Sequence, residues 1–335
     1  MIVSICIVAY NEEKYINSLF ECICRQSYPL DSIEVILIDS HSTDKTLMLF
    51  QSFEKQHKEF YGVQILDNPK QRQSAGWNIA IDCYRGDVMI RLDAHAIIPM
   101  DFVEKNMACL MSGEKISGGR RPSMIELNTP WKATLLVAEN SLFGSSIAPF
   151  KRETGKHYVK SMFHPAYVRE VFETVGYFNE HLGRTEDNEM SYRIRKNGYQ
   201  LCYDPKIVSH QHIRNDLRQL LKQKFSNGYW IGLTSGFRIS CLSLYHFMPF
   251  AFLLGIIATS FLWLMGDAQL AIIMWSAYFI AATLMSVFAS LTGTRNSRFL
   301  LLPFLFLLLH IAYGLGTLVG LIYMPLWRLK IKRSL

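Results

Sequence analysis

The sequence predicts an α/β domain built around a buried parallel sheet, followed by helices that cross a membrane. Two observations support this fold class. In the first third of the chain, short apolar runs alternate with polar turns and stretches of helical spacing, a pattern typical of βαβα units. Near the C-terminus, residues 239–294 contain one charged residue, Asp267, and residues 299–327 contain none. Uncharged stretches of this length are typical of membrane spans.

The elements of the α/β part follow from this alternation. The predicted strands are residues 2–9, 35–38, 63–66, 88–92 and 200–203. The predicted helices are residues 12–25, 44–58, 74–83, 101–111 and 187–197, with Pro165 expected as the first residue of another. Between these, residues 113–160 are punctuated by glycine and proline. We expect substrate-facing loops and a short helix there.

Composition limits the class of protein. The chain has 335 residues, of which 50% are hydrophobic and 19% charged, which excludes a disordered chain and a wholly soluble one. Past Arg238 there are six basic residues and one acid, so the basic surplus lies beside the apolar segments. This arrangement suits anionic lipid and makes nucleic acid a poor candidate partner.

The cysteines and the N-terminus favour a cytosolic catalytic side. Seven cysteines are scattered without a paired framework, and Cys22 and Cys24 lack the second pair that a zinc site needs. We therefore expect reduced thiols. Met1 leads directly into the first apolar run without a basic leader, so no signal peptide is predicted.

Polar side chains follow three of the predicted strands, where a parallel sheet binds its ligands. The segments that carry these side chains are Ala9-Tyr10-Asn11-Glu12, Asp39 and Asp93-Ala94-His95. Three such groups in chain order indicate a binding site more strongly than any one of them. Asp39 could accept a hydrogen bond from the N3–H of uracil, or cap a helix. Arg72 precedes a helix start and could bind phosphate, or be an ordinary surface base.

Histidines and acids supply the remaining candidates. Asp93 and His95 could together hold Mn²⁺ or Mg²⁺ on a diphosphate, although His95 could instead cap or pack. His210 and His212 follow a strand and could add a metal ligand, His210 first, or lie at a domain edge. Glu186, Asp187 and Glu189 open a helix, where one carboxylate could act as a general base. The alternative is that these acids complement the helix dipole.

In their order and spacing these motifs resemble an inverting family-2 glycosyltransferase of the GT-A fold. Five motifs carry the resemblance. They are the opening motif at Ala9 to Glu12, the acidic turn from Asp39 to Asp44, the Asp93-Ala94-His95 position, Gly118-Gly119 and the Glu186-Asp187 pair. Ser40 and His41 stand where the family's acidic turn has Asp and Gly, and His95 replaces its last metal-binding acid. Residues 91–96 and 310–316 are most similar to the subgroup of succinoglycan and exopolysaccharide biosynthesis.

The resemblance implies transfer of one sugar from a nucleotide-diphosphate donor, expected to be a UDP-sugar. The acceptor would be a hydroxyl of a saccharide linked to polyprenyl diphosphate, in extracellular polysaccharide, capsule or cell-surface glycan synthesis. A divalent metal and Arg72 would offset charge on the departing diphosphate. Asp187, beside Glu186, would deprotonate the acceptor. Glu189 lies about 200° around the helix from Asp187 and is not chosen. We expect Asp187 to be ionised without a special partner.

The predicted organisation is a catalytic domain and a membrane domain. Residues 1–235 divide into a nucleotide-sugar half at 1–112, an acceptor half at 113–212 and an interfacial helix at 213–235. Residues 240–330 form the membrane domain, with spans at about 247–266, 268–291 and 299–325. The catalytic domain is expected on the cytosolic side of a cytoplasmic membrane. The third span is either a single tilted crossing or a re-entrant bend. The positive-inside rule slightly favours the re-entrant bend.

The interfacial helix is predicted from a row of apolar residues at four-residue spacing. The row is Leu217, Leu221, Phe225 and Tyr229. Lysines and arginines lie on the other faces, as in helices that rest on a bilayer surface. Packing on the domain's own core is the alternative.

Two other functions are alternatives to sugar transfer onto a lipid-linked saccharide. A polyprenyl-phosphate glycosyltransferase accepts sugar on a phosphate and needs no strong base. A membrane protein that binds nucleotide without turnover is the alternative from another class. A secondary transporter is excluded because the apolar segments lack paired charges and repeats.

Overall fold

The computed structural model describes residues 1–124, 129–141, 143–144, 155–212, 216–292 and 297–332. The chain folds as two compact units. The first comprises residues 1–122 and 149–212, and the second comprises residues 123–148 and 213–335. The predicted interfacial helix and residues 123–148 therefore belong to the second unit.

The five predicted strands correspond to β1 to β4 and β10, and the described residues contain further short strands that were not predicted. They are β1 (Val3–Ala9), β2 (Ile33–Asp39), β3 (Gly62–Asp67), β4 (Val88–Asp93), β5 (Ala96–Ile97), β6 (Ile116–Arg120), β7 (Ser123–Met124), β8 (His157–Val159), β9 (Ala166–Val168), β10 (Leu201–Val208) and β11 (His210–His212). All except β7 lie in the first unit.

Among the described residues, eight strands form the main sheet in the order β3-β2-β1-β4-β9-β6-β10-β8. The pairs among β1 to β4 are parallel, and so is β6 with β10. Within this sheet, as far as it is described, only β9 and β8 run antiparallel to their neighbours. The expectation of a mostly parallel sheet is confirmed.

The helices follow the same alternation. They are α1 (Ile16–Cys24), α2 (Thr46–Gln56), α3 (Gln73–Cys83), α4 (Phe102–Met111), α5 (Pro130–Asn140), α6 (Arg169–Val175), α7 (Glu186–Lys196), α8 (Leu217–Arg238), α9 (Met248–Leu264), α10 (Gln269–Thr292) and α11 (Leu302–Lys332). Helices α5 and α8 to α11 belong to the second unit.

Two apolar layers cover the faces of the sheet. Alternate side chains of a strand point to opposite faces, so Ile5 and Ile7 pack into one layer while Cys6 packs into the other. The first layer takes side chains from α1, α2 and α4, and the second takes them from α3, α6 and α7. The sheet is therefore buried on both sides, and the strand ends remain available for ligands.

The prediction that Pro165 begins a helix is wrong. Pro165 leads into β9, whose Ala166 pairs with Ile90 of β4, and helix α6 begins at Arg169. The fixed φ of proline fits an extended residue as well as a first helical turn. In the region predicted as loops, Gly118 and Gly119 lie within β6. Residues 125–128, 142 and 145–154 of that region lie outside the described residues.

In the described part of the second unit, three helical segments are long and apolar enough to cross a membrane. They are residues Leu244–Leu264, Gln269–Ala289 and Arg298–Ile331, close to the predicted spans. The predicted re-entrant bend is wrong, because α11 continues as one helix through Gly314 and Pro325. Arg295 and Arg333, used in the charge argument, lie outside the described residues.

Helix α8 buries a different face from the predicted one. The buried row is Leu220, Lys224, Gly228 and Gly232, whereas Phe225 is 38% exposed. Lys224, expected on the polar side, is buried and its Nζ lies 2.9 Å from Glu139 Oε1. The glycines explain the difference, because they let α8 and α11 approach closely without contributing to an apolar pattern.

We call Gly228 and Gly232 of α8, with Gly316 and Gly320 of α11, the glycine seam. A Cβ at Gly228 would lie 2.0 Å from the carbonyl oxygen of Tyr313, and one at Gly316 would lie 2.0 Å from that of Phe225. Small residues that allow backbones this close are typical of helix pairs in membranes.

Candidate active site

The turns after β1 and β2 are tied together by their own polar groups. Asn11 has a φ of 55°, and its Oδ1 accepts a hydrogen bond from the backbone N–H of Thr43 at 2.7 Å. The Asn11 N–H donates to Ser42 Oγ at 3.1 Å, and the Ser40 N–H donates to the Ala9 carbonyl at 2.9 Å. The opening motif and the acidic turn therefore form one structure.

Within this structure Asp39 and Asp44 have separate tasks. Asp44 accepts hydrogen bonds from the backbone and hydroxyl of Thr46 at 2.9 and 2.6 Å and from the Glu13 N–H at 3.1 Å. Asp44 therefore satisfies the start of α2. Asp39 is buried and accepts from the Ser42 N–H at 3.2 and 3.3 Å. Its carboxylate holds the turn after β2 and is not needed as a helix cap.

Glu12, His95 and Gln211 form a chain of contacts beside these turns. Glu12 Oε1 lies 3.1 Å from His95 Nδ1, and His95 Nε2 lies 3.1 Å from Gln211 Nε2. A neutral imidazole with its proton on Nδ1 satisfies both contacts, since the amide of Gln211 is then the donor. Tyr10 is 54% exposed at the same turn.

Asp93 ends β4 beside two histidines and an arginine. Its Oδ2 lies 3.1 Å from His164 Nε2 and 3.7 Å from Arg121 Nη1, and Gln73 Nε2 lies 3.4 Å from Oδ1. Burial alone would raise the pKa of Asp93, but His164, His95 and Arg121 hold it well below its usual range. The side chain is therefore an ionised carboxylate, as a metal ligand must be.

His164 is a site residue that sequence reasoning missed. It is 4% exposed and has a φ of 47°, a backbone conformation that costs energy for a residue with a side chain. Its Nδ1 lies 2.9 Å from Ser209 Oγ, and burial lowers the pKa of the imidazole. Its Nε2 faces Asp93 at 3.1 Å without the alignment of a hydrogen bond.

His210 does not join a close group with Asp93 and His95. Its backbone pairs β11 with Ile97 of β5, and burial followed by the charge of Arg120 lowers its pKa. In the described part of the chain, one group of three possible metal ligands has its ligand atoms within 4.8 Å of one another. This group is Cys24, His57 and Glu59. The role of His210 as a metal ligand stays a prediction, and the side chain of His212 lies outside the described residues.

Arg72 stands immediately before the first residue of α3, as predicted. Its Nη1 donates to the carbonyl of Glu180 at 2.8 Å, and Lys70 pairs with the carboxylate of Glu180 at 2.6 Å. Both basic side chains line a cleft of about 960 Å³ together with Asn78 and His181. The carboxylates of Asp82 and Glu180 line the same cleft, and Glu180 is paired with Lys70. The part of the cleft suited to an anion is therefore the guanidinium of Arg72 beside the N-terminus of α3.

The three acids of α7 have three different environments. Glu189 is buried and pairs with Arg193 Nε at 2.9 and 3.0 Å. Arg193 also donates to the carbonyls of Val175 and Tyr177 at 2.6 Å. Glu189 thus ties α7 to the segment after α6, which supports excluding it as the base.

Asp187 has a strong partner, contrary to the expectation that it needs none. Its Oδ1 accepts a hydrogen bond from Arg91 Nη1 at 2.6 Å. Arg91 is buried on β4, with its guanidinium 4.5 Å from the ring of Trp77 and 4.9 Å from that of Phe178. The expectation failed because Arg91 and Asp187 are 96 residues apart in the chain.

Glu186 is buried and has an unsatisfied carboxyl oxygen. It is 4% exposed, and its Oε2 finds no hydrogen-bond partner among the described residues. Burial and the neighbouring charge of Asp187 raise the pKa of Glu186 to about 8. At neutral pH this side chain is therefore mostly a neutral acid, whereas a general base must be ionised.

The fold and these strand-end groups are those of a glycosyltransferase of the GT-A class, and comparison with known proteins agrees. The chain belongs to the glycosyl transferase family 2, whose model matches residues 4–176. The resemblance found in the sequence motifs is thereby confirmed.

Two relatives and one solved structure illustrate this membership. The chain is 28% identical over 329 residues to a dolichyl N-acetyl-alpha-D-glucosaminyl phosphate 3-beta-D-2,3-diacetamido-2,3-dideoxy-beta-D-glucuronosyltransferase of Methanococcus voltae, covering 96% of this chain and 97% of that protein. It is 30% identical over 226 residues to succinoglycan biosynthesis protein ExoA of Rhizobium meliloti, covering 67% of each. The mannosyltransferase PcManGT from Pyrobaculum calidifontis, solved with GDP-Man and Mn²⁺, aligns with a TM-score of 0.55 at 18% identity, covering 98% of this chain and 86% of that one. The expectation of a GT-A fold is confirmed.

Proposed function

We propose that this protein transfers a sugar, with inversion, from a nucleotide-diphosphate sugar to a hydroxyl of a lipid-linked saccharide. The observation that carries the proposal is the ionised Asp93 at the end of β4, with the carboxylate of Asp187 held by Arg91 of the same strand. One acid is suited to the metal-bound diphosphate and the other to the acceptor. Family membership and the sequence motifs support the same reaction.

The donor side uses the turns after β1 and β2 together with Arg72. Ala9, Tyr10, Asn11 and Glu12 would enclose the nucleotide, and Asp39 would accept the N3–H of a uracil base. Arg72, at the start of α3, would face the diphosphate. A UDP-sugar is therefore the expected donor.

The residues around Asp93 fit a divalent cation. The carboxylate is ionised, and the buried Nε2 of His164 lies 3.1 Å from it without a hydrogen-bond partner among the described residues. Two ligand atoms at this separation can belong to one metal ion. Asp93 would hold Mn²⁺ or Mg²⁺ with His95 as predicted, and His164 is a further candidate. When bound, the cation would offset negative charge on the departing diphosphate.

Asp187 would act as the base. Arg91 engages Oδ1, and the side chain retains 24% exposure, so Oδ2 is available to accept the proton of an attacking hydroxyl. Glu186 beside it is mostly neutral at pH 7 and would be an auxiliary acid rather than a second base.

The acceptor is proposed to be attached to a polyprenyl diphosphate in the membrane. Three apolar helical segments follow the catalytic unit in the chain, and the Methanococcus voltae relative is named for action on a dolichyl-linked sugar phosphate. We propose a multi-pass protein of the cytoplasmic membrane, with the catalytic unit on the cytosolic side. Its product would enter extracellular polysaccharide, capsule or cell-surface glycan.

Nucleotide release from detergent-solubilised protein tests the proposal. A panel of UDP- and GDP-sugars is supplied with polyprenyl-diphosphate saccharides or with polyprenyl phosphate, and the released nucleotide is measured. We expect UDP release with the saccharide acceptor, lost in Asp187→Asn and kept in the matched exposed control Asp31→Asn. Transfer to polyprenyl phosphate that survives Asp187→Asn would identify a polyprenyl-phosphate glycosyltransferase instead. Absence of release with every donor and lipid would favour a non-catalytic nucleotide-binding protein.

A further inference from the structure

We infer that Arg91 is a positioning residue for the base, which it holds by one carboxylate oxygen so that the other stays directed at the acceptor hydroxyl. This inference rests on the proposed function, because it assigns Arg91 a role in the same reaction. Arg91 itself neither gives nor takes a proton, since a guanidinium stays charged in proteins.

The guanidinium is fixed on several sides. Arg91 is 6% exposed and lies near the end of β4, and its backbone N–H donates to the Pro165 carbonyl at 3.1 Å. The rings of Trp77 and Phe178 lie 4.5 and 4.9 Å from the guanidinium carbon. Such cation–aromatic contacts hold the planar group in one orientation. The 2.6 Å contact to Asp187 is therefore made by a group that has little freedom to move.

The charge of Arg91 requires a carboxylate partner. An uncompensated buried charge is strongly destabilising, so the ion pair persists once the domain is folded. Asp93 and Glu186 also lie near Arg91. Asp93 faces His164 and Arg121, and Glu186 is mostly neutral at pH 7 because burial raises its pKa to about 8. Asp187 is consequently the partner that Arg91 retains, and the rotamer of Asp187 is set by the sheet.

The reaction then uses the free oxygen. The acceptor oxygen forms a bond to the anomeric carbon while its O–H bond breaks and the proton moves to Oδ2 of Asp187. The bond from the anomeric carbon to the diphosphate breaks, and its electron pair leaves with the nucleoside diphosphate.

Kinetics of Arg91→Met and Arg91→Lys test the inference. Misplacing a catalytic group by about 1 Å can cost about 10²-fold, so we expect kcat of Arg91→Met to fall by about that factor while KM for the donor stays within about twofold. Arg91→Lys, which keeps the positive charge at this position, should recover part of the lost kcat.

Two controls separate positioning from folding. Arg193→Met removes the structural ion pair of the same helix and should lower thermal stability while keeping a near-normal kcat. The double variant Arg91→Met/Asp187→Asn removes both charges and should be more stable than Arg91→Met alone, yet remain inactive. A near-normal kcat in Arg91→Met, or an equal loss of kcat in Arg193→Met, would overturn the inference.

The outcome also distinguishes this inference from the proposed function. If Asp187→Asn keeps near-normal turnover, the base assignment fails, and the role of Arg91 fails with it. If Asp187→Asn is inactive while Arg91→Met has normal kcat, the proposed base stands and only the inference about Arg91 is wrong.

Discussion

Replacing Gly228 by alanine should destabilise the second unit although alanine favours helices. A Cβ at this position would lie 2.0 Å from the carbonyl oxygen of Tyr313 and 2.9 Å from the backbone nitrogen of Thr317. Ordinary van der Waals contacts of a Cβ begin at 3.4 Å. Both obstructing atoms belong to the backbone of α11, so α8 and α11 must move apart by more than an ångström across the glycine seam.

Two opposing terms set the size of the effect. Alanine gains about 0.5–1 kcal/mol over glycine inside a helix. Overpacking costs about 1–3 kcal/mol and more where the backbone must shift. We therefore expect a net loss of about 1–2 kcal/mol at Gly228, which corresponds to several degrees in Tm. Gly255 of α9 is the matched control, because its Cβ would meet only Met274 Sδ, at 3.3 Å, and that side chain can move.

Thermal unfolding in detergent, followed by intrinsic fluorescence, measures both variants. Gly228→Ala should unfold at a lower temperature than the wild type, and Gly255→Ala at an equal or higher one. Equal stability of the two variants would refute the close approach of α8 and α11 at the glycine seam.

Two further predictions concern the catalytic unit. Excess chelator should abolish turnover, and Mn²⁺ should restore it best. Asp93→Ala should be inactive, whereas His95→Asp should retain some activity with its metal preference shifted toward Mg²⁺. Turnover that persists in chelator would contradict this metal requirement. Because the pKa of Glu186 is raised from 4.5 to about 8 in the folded protein, wild-type stability should fall as pH rises from about 4.5 to about 8 and then level off. Glu186→Gln lacks this loss, so its Tm advantage should grow over that window, and an identical pH dependence would contradict the raised pKa.

Much of the fold could be predicted because its signals are local. Short apolar runs followed by polar turns gave the first four strands, and absence of charge gave the apolar helices. The strand-end residues Asp39 and Asp93 were found because a parallel sheet gathers its ligands at one edge. Pro165 was misassigned because its ring suits both a strand entry and a helix start.

The contacts that join distant residues could not be predicted. Arg91 and Asp187 meet across 96 residues, and no spacing relates His164 to Asp93. One signal was present but unused, since a charged residue in the middle of the apolar run Val-Met-Ile-Arg-Leu is costly unless it is paired. On α8 the apolar row pointed to one face, whereas the glycines at four-residue spacing marked the face that packs.

The most direct test of the central claim is to follow the sugar itself. Detergent-solubilised protein is incubated with a labelled UDP-sugar and a polyprenyl-diphosphate saccharide, and the lipid-linked product is isolated and its anomeric configuration determined by NMR. We predict label in the lipid-linked saccharide, with the anomeric configuration opposite to that of the donor, and none with Asp187→Asn. The proposed inverting transfer to a lipid-linked saccharide would be contradicted by label absent from the lipid fraction, by a retained configuration, or by a product yield unchanged in Asp187→Asn.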